Sequence, residues 1–194
     1  MDHGDLFIEA IREARDHTPP DHPTGGVDAF LRCAPDWPPV RLAQECTRLV
    51  AELAAADQVV LHARQGDQMV CCALHPPRLS TPLARTQDAD GFPWGIDDLV
   101  PSRFLAVHDA GPLPAIVVDE GSTTIEELGF RSAVHLPLRA GNRPMGALNL
   151  YWSRPGVNWD DTIGPIARAL GVYTLEAAAR VAGVLPDVSL ERSP

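Results

Sequence analysis

The sequence predicts an α+β fold, an antiparallel sheet with helices at both ends of the chain. Two observations carry this prediction. Apolar residues recur at helical spacing near each end, and between them lie two pairs of short apolar segments, each pair joined by a Gly-containing turn. At 194 residues the chain can bury a core without disulfides or metals. We therefore expect one main domain, with an additional N-terminal segment.

Charge and cysteine usage restrict the possible classes of function. The net charge is −10 and the pI is about 5.0, so we expect no direct binding to a nucleic-acid backbone. The four cysteines lack zinc-finger spacing, and we expect reduced thiols rather than a structural metal site. No apolar run reaches about 18 residues, and the acidic N-terminus does not resemble a signal peptide. These features predict a cytoplasmic protein without membrane contact.

The elements follow from the pattern in chain order. Helices are predicted at 6–17, 27–32 and 40–56, with a linker at 18–26. Strands are predicted at 57–64 and 68–75, forming one hairpin, and at 131–139 and 145–152, forming another. A short strand at 115–118, a short helix at 124–128 and a last helix from about 160 to 183 complete the order. Residues 76–114 are rich in Pro, Gly and Asp, and 96–108 is expected to hold one or two short helices.

Strand alternation separates two faces of the predicted sheet. One set of side chains is entirely apolar and should face the helices: Val59, Leu61, Val134, Leu136, Leu138, Leu148, Leu150 and Trp152. The other set includes His62, His135, Asn149 and Tyr151, and one of Cys71 and Cys72 should join it. A cluster of His, Asn, Tyr and thiol groups in a half-apolar pocket suits a small polar ligand. The alternative is that each histidine is a hydrogen-bonded core residue.

Five motifs carry a resemblance to a known family. They are LGFRS at 128–132, LPL at 136–138, GALNLY at 146–151, RPG from 154 and WDD at 159–161. In this order they resemble a GAF domain over about residues 40–183, and Asp119 matches the aspartate that precedes the family's short helix. The form is similar to stand-alone or ANTAR-associated actinobacterial GAF sensor domains.

The resemblance implies a GAF-like sheet of five or six antiparallel strands. Terminal helices lie on one face and often build a dimer, while ligand-pocket loops and short helices cover the other. It divides the chain into an N-terminal helical extension and linker (1–38), a GAF-like domain (39–184) and a flexible tail (185–194). Members sense cyclic nucleotides, bilins, haem-bound gases or small metabolites, and one branch reduces free methionine sulfoxide.

The specialised branches do not match the sequence. No cysteine follows Cys72, so the positions of a reductase nucleophile or a bilin thioether are empty, and no NKFDE-type segment is present. Haem would need an axial histidine, for which His108 or His135 could serve. The cofactor is otherwise unassigned. The expected ligand-binding residues are His135, Asn149, Tyr151, His62, Cys72, Arg103, His108, Trp94 and Asp119.

The sequence thus predicts a small-molecule-binding sensory or regulatory domain, or one that has lost ligand binding and serves as a dimerising interaction module. It would act as a homodimer and through a separate signalling partner protein. The alternative is an enzyme on the same scaffold, with His135 or His108 as general base and a cysteine or tyrosine assisting.

Overall fold

The computed structural model describes residues 24–77, 83, 87–88, 105–107, 128–156, 159 and 162–181. Six predictions fall outside these residues, wholly or in large part. They are the first helix (6–17), most of the linker (18–26), most of the segment 96–108, the strand at 115–118, most of the short helix at 124–128 and the tail from 185.

Three α-helices lie within the described part of the chain. They are α1 (Thr24–Cys33), which a 3-10 turn (Ala34–Asp36) follows, α2 (Pro39–Ala54) and α3 (Ile163–Val181). The prediction of a linker through residue 26 is wrong for its last three residues, which belong to α1. Gly26 explains the difference, because a Cβ there would lie 2.9 Å from Cδ1 of Leu49. The glycine lets α1 approach α2 closely, and this packing outweighs its poor helix propensity. None of the described helices is long and apolar enough to span a membrane.

Six antiparallel strands form one sheet in the order β3-β2-β1-β6-β5-β4. Their bounds are β1 (Gln58–Gln65), β2 (Gln68–His75), β3 (Gln87–Asp88), β4 (Leu105–Val107), β5 (Ser132–Ala140) and β6 (Arg143–Trp152). The predicted α+β fold and both hairpins are confirmed. The prediction of helix over 96–108 is wrong at β4, whose residues pair with Ala133, Val134 and His135 of β5. That pairing is a tertiary contact that local propensity does not contain.

The two hairpins turn at glycines with positive φ. Gly66 has φ 61° between β1 and β2, and Gly141 has φ 59° between β5 and β6. A residue with a Cβ would be strained in this left-handed region, so glycine favours each turn.

The helix-covered face of the sheet carries the main core. α2 packs on β1 and β2, α3 packs on β5 and β6, and the two helices contact each other. The strand residues buried in this core are Val59, Leu61, Ala73, Val134, Leu136, Leu138, Met145, Leu148, Leu150 and Trp152. The predicted apolar set therefore lies against the helices.

The N-terminal helix α1 joins the same core. Phe30 is 3% exposed, and its ring meets those of Trp37 and Tyr173 edge-on, at centroid distances of 5.7 and 6.3 Å. Arg41 places its guanidinium carbon 5.1 Å from the centre of the Trp37 ring. Residues before α2 thus contribute buried aromatic contacts to the domain.

Candidate functional site

The face of the sheet opposite α2 and α3, called here the second face, carries a separate cluster. Its buried apolar members are Val60, Leu83, Phe130, Ala133 and Tyr151. The strand register aligns side chains in two rows across β1, β6 and β5. One row is Gln58, Tyr151 and Ala133, and the next is Val60, Asn149 and His135. Three polar side chains that lie among these apolar residues, His62, Asn149 and His135, form the centre of the site.

Three buried polar side chains on this face form a continuous chain of hydrogen bonds. Nδ1 of His135 lies 2.9 Å from Oδ1 of Asn149, and Nδ2 of Asn149 lies 3.2 Å from Nδ1 of His62. Nε2 of His62 lies 3.2 Å from the carbonyl oxygen of Leu83. All three side chains are at most 3% exposed. The sequence predicted each of them for the site, and the structure brings them together.

The direction of this chain fixes both imidazole tautomers. The Leu83 carbonyl can only accept, so Nε2 of His62 carries the hydrogen and Nδ1 of His62 accepts. The NH₂ group of Asn149 therefore points to His62, and its oxygen accepts from Nδ1 of His135. The opposite orientation of the Asn149 amide would set a bare Nε2 of His62 against the Leu83 carbonyl. The Leu83 carbonyl thus determines which atom donates at each step, back to Nδ1 of His135.

Burial keeps the titratable groups of this cluster uncharged at neutral pH. Desolvation lowers the pKa of His62 to about 4, opposed by its hydrogen bond to Leu83 and reinforced by the nearby His135. Desolvation also lowers the pKa of His135 to about 4, against the hydrogen bond to Asn149. Burial raises the pKa of the Tyr151 phenol. The three groups therefore offer dipoles and rings rather than charges.

Aromatic rings flank the polar chain. The Tyr151 ring meets the His135 ring edge-on, at a centroid distance of 5.8 Å. Phe130 lies against Tyr151, with ring centroids 5.3 Å apart and planes inclined by 31°. Tyr151, also predicted for the site, is 4% exposed and contacts both His135 and Phe130. The surface can stack or enclose a flat group beside the imidazole.

A glycine allows two strands of the site, β1 and β6, to lie close together. Gly146 of β6 pairs with Ala63 of β1, and a Cβ at Gly146 would collide with the backbone carbonyl of His62 and with Cδ1 of Leu175. The absence of a side chain allows β6 to lie close to β1 just before Asn149 reaches His62.

A β-bulge places the adjacent Cys71 and Cys72 in different environments. Leu61 pairs with Ala73 and His62 pairs with Cys71, so Cys72 is the extra residue of β2. The prediction selects Cys72 for the pocket, whereas the structure packs Cys71 against the second-face cluster and leaves Cys72 exposed. Burial raises the pKa of Cys71 to about 11, so its thiol is protonated at neutral pH.

The remaining predicted site residues, Trp94, Arg103, His108 and Asp119, lie outside the described residues. Among the described residues, no group of three or more His, Cys, Asp or Glu side chains could hold a metal ion. Of the two axial candidates for haem, His135 is bonded to Asn149 through Nδ1 and lies beside Tyr151.

Sequence reasoning missed one polar residue of the second face. Gln58 is 1% exposed and alternates with Val60 and His62 along β1. Its Nε2 lies 2.9 Å from the carbonyl oxygen of His75 and 3.1 Å from that of Pro76. The signal was available, because the alternation that selects His62 also selects position 58.

Comparison with known proteins identifies the family and the fold. The model of a family described as GAF domain matches residues 38–182. The GAF domain of an Acinetobacter phosphoenolpyruvate-protein phosphotransferase is 11% identical, with a TM-score of 0.56, covering 96% of this chain and 99% of that one. No curated protein matches the sequence.

Two further solved structures share the fold at low identity. The free methionine-R-sulfoxide reductase of Neisseria meningitidis, solved with its substrate, is 16% identical, with a TM-score of 0.53 and coverage of 93% of this chain and 95% of that one. The chromophore-binding domain of an unusual bacteriophytochrome from R. palustris is 13% identical, with a TM-score of 0.58. That match covers 93% of this chain and 64% of the bacteriophytochrome chain.

Proposed function

The chain belongs to the GAF domain family, and on that premise we propose that it is a regulatory domain that binds a small molecule on the second face of its sheet. The observation that carries the proposal is the buried hydrogen-bonded chain of His135, Asn149 and His62. These side chains lie beside Tyr151 and Phe130, on the face opposite the helices.

The placement of these polar groups supports a binding role. The helix-covered face already supplies the apolar core that the fold needs. Polar groups buried elsewhere cost free energy of desolvation unless each is hydrogen-bonded, and they add little stability in return. Apolar walls with a few convergent polar groups are typical of small-molecule sites. Among the fold relatives, the bacteriophytochrome domain binds a chromophore and the reductase binds its substrate.

The proposed contacts follow from the geometry. His135, Asn149 and Tyr151 would contact the ligand, while His62 would orient Asn149 from the other side. The predicted contributions of Trp94, Arg103, His108 and Asp119 stay part of this proposal, and Cys71 takes the place predicted for Cys72. Haem, held through His108 or His135, stays the alternative ligand.

Signalling would pass through the helices to a second copy and a partner protein. Two large apolar side chains are exposed at helix ends, Val40 in the first turn of α2 at 67% and Val181 at the end of α3 at 73%. A dimer interface on α2 and α3 that covers these two side chains is part of the proposal. The proposed location is the cytoplasm, which agrees with the free cysteines. Kinship with the stand-alone or ANTAR-associated actinobacterial members also belongs to the proposal.

The enzyme alternative has weaker support. A general base works best when its pKa is near the working pH, whereas the pKa of His135 is lowered to about 4.

Native mass spectrometry and an absorbance scan of the protein purified without unfolding would test binding. We expect a retained molecule on wild type, lost from Asn149→Leu, which removes the centre of the polar chain. Asn142→Ala, in the exposed turn between β5 and β6, is the matched control and should retain it. Equal retention by both variants would exclude the second face as the binding site.

A further inference from the structure

Gln58 has a buried amide oxygen for which no described residue supplies a hydrogen-bond donor. The Nε2 atom of this side chain donates to the carbonyl oxygens of His75 and Pro76. These two acceptors use both amide hydrogens and therefore fix which atom is the oxygen. Buried carbonyl groups in folded proteins are nearly always paired, so Oε1 calls for a donor from elsewhere.

The position of Gln58 connects this oxygen with the proposed site. Gln58 pairs with Tyr151, and the next residue of β1 on the same face, Val60, pairs with Asn149. Residues two apart on a strand are about 7 Å apart. The Gln58 amide and the polar chain centred on Asn149 therefore fall within the span of one small molecule, with Tyr151 between them.

The unpaired oxygen of Gln58 selects the polar group of a ligand. The described side chains of the two rows are Gln58, Tyr151, Ala133, Val60, Asn149 and His135, and none of them is charged at neutral pH. A bare carboxylate has no hydrogen to donate to Oε1, whereas the N–H of a carboxamide or lactam can donate. A ligand group that lies at Gln58 therefore carries a hydrogen-bond donor.

We propose, building on the function proposed above, that the ligand carries an N–H or O–H donor, such as a carboxamide or lactam, and that this group donates to Oε1 of Gln58. Gln58 is then a specificity-determining residue of the second face. Its Nε2 bonds hold the amide in place, and its oxygen distinguishes donors from acceptors of the same shape.

Matched amide and acid probes test this directly. Benzamide and benzoate, and likewise nicotinamide and nicotinate, have nearly the same shape but differ in charge and donor. Titration of the full chain at neutral pH, followed by calorimetry or ligand-observed NMR, should show binding of the amides and at least about tenfold weaker binding of the acids. Equal binding of acid and amide would overturn the proposed donor.

A pair of variants isolates the role of Gln58. Gln58→Met keeps the length but removes the acceptor and should weaken benzamide binding about fivefold. Gln65→Met, at the exposed end of the same strand, should not change it. Gln58→Met also loses the hydrogen bonds to His75 and Pro76. Its melting temperature, measured without probe, therefore shows whether the variant is folded when its binding is compared with that of wild type. A crystal structure of wild type with benzamide should place the amide nitrogen within about 3.2 Å of Oε1.

The outcomes separate this inference from the proposed function. Unchanged benzamide binding by Gln58→Met would overturn the role of Gln58 and leave the second face as a binding site. Failure of every amide to bind, while native mass spectrometry shows a retained molecule, would overturn the ligand class. Failure of every amide, with no retained molecule, would count against both proposals.

Discussion

Asn149 and His135 face each other directly across β6 and β5, and Oδ1 of Asn149 lies 2.9 Å from Nδ1 of His135. The other end of the same amide reaches His62 on β1. One side chain thus links three adjacent strands on the second face. This relation connects the stability of the domain with the site proposed for the ligand.

Replacing Asn149 by leucine should destabilise the protein. The substitution nearly preserves volume but leaves a donor on His135 and an acceptor on His62 without the amide. We expect a loss of about 2 kcal/mol in the free energy of unfolding, measured by urea denaturation. The exposed Asn142→Ala should stay within about 0.5 kcal/mol of wild type. Equal stability of Asn149→Leu and wild type would show that the hydrogen-bonded chain contributes nothing to the folded state.

Acidification should destabilise the fold within a definite pH window. The pKa values of His62 and His135 are about 4 in the folded state, whereas an unfolded histidine titrates near about 6.5. Between these values the unfolded chain binds more protons, so the free energy of unfolding falls as the pH is lowered through the window. Above about 6.5 both states are neutral, and neither histidine adds a pH dependence.

Each histidine should account for on the order of 3 kcal/mol across the whole window. Urea denaturation at a series of pH values between 4 and 7 would measure this. The double variant His62→Gln/His135→Gln should have a much flatter profile. A wild-type profile no steeper than that of the double variant would mean that these histidines are not buried as neutral groups.

Gly146→Ala should destabilise by about 1–3 kcal/mol, because the new methyl group would meet the fixed backbone carbonyl of His62. Gly171→Ala is the matched control. There the nearest atoms are Cδ1 and Cδ2 of Leu138, at 2.8 and 3.0 Å, and a side chain can move aside. Thermal unfolding should therefore show a larger loss for Gly146→Ala. The reverse order would contradict the close approach of β6 to β1.

Ala55→Gly should stabilise the protein by about 1 kcal/mol. Ala55 has φ 47°, in the left-handed region after α2, where glycine avoids the strain of a Cβ. Ala54→Gly, at the last residue of the helix, should not stabilise the protein, because alanine has the higher helix propensity there. Melting temperatures of both variants give the test, and a lower value for Ala55→Gly would contradict the described end of α2.

The proposed dimer should depend on the exposed valines. We expect a dimeric mass for wild type in light scattering and a monomeric mass for Val40→Asp/Val181→Asp, because charges would disfavour a helical interface. Circular dichroism should show that the double variant remains folded. A monomeric wild type at all concentrations would exclude the dimer.

Most of the central sheet was predictable, because alternation is a local signal. Gly66 and Gly141 marked the turns, and the all-apolar residues of β5 and β6 identified the helix-covered face. The errors occur where long-range contacts override local preference. β4 pairs with β5, and Gly26 lies where α1 packs closely on α2.

The polar chain was predictable only in part. Alternation placed His62, His135 and Asn149 on one face, but His62 and Asn149 are 87 residues apart and meet only because β1 pairs with β6. Likewise, the bulge that puts Cys71 rather than Cys72 against the cluster depends on the pairing of β2 with β1. The periodicity of the sequence shows neither of these strand pairings.

The most direct test of the account is a crystal structure of the protein with the molecule that it retains from cells. We predict a small molecule on the second face, in contact with Tyr151 and with a polar atom within about 3.2 Å of His135 or Asn149. A molecule bound elsewhere, or a second face that only protein side chains fill, would contradict the proposed binding site.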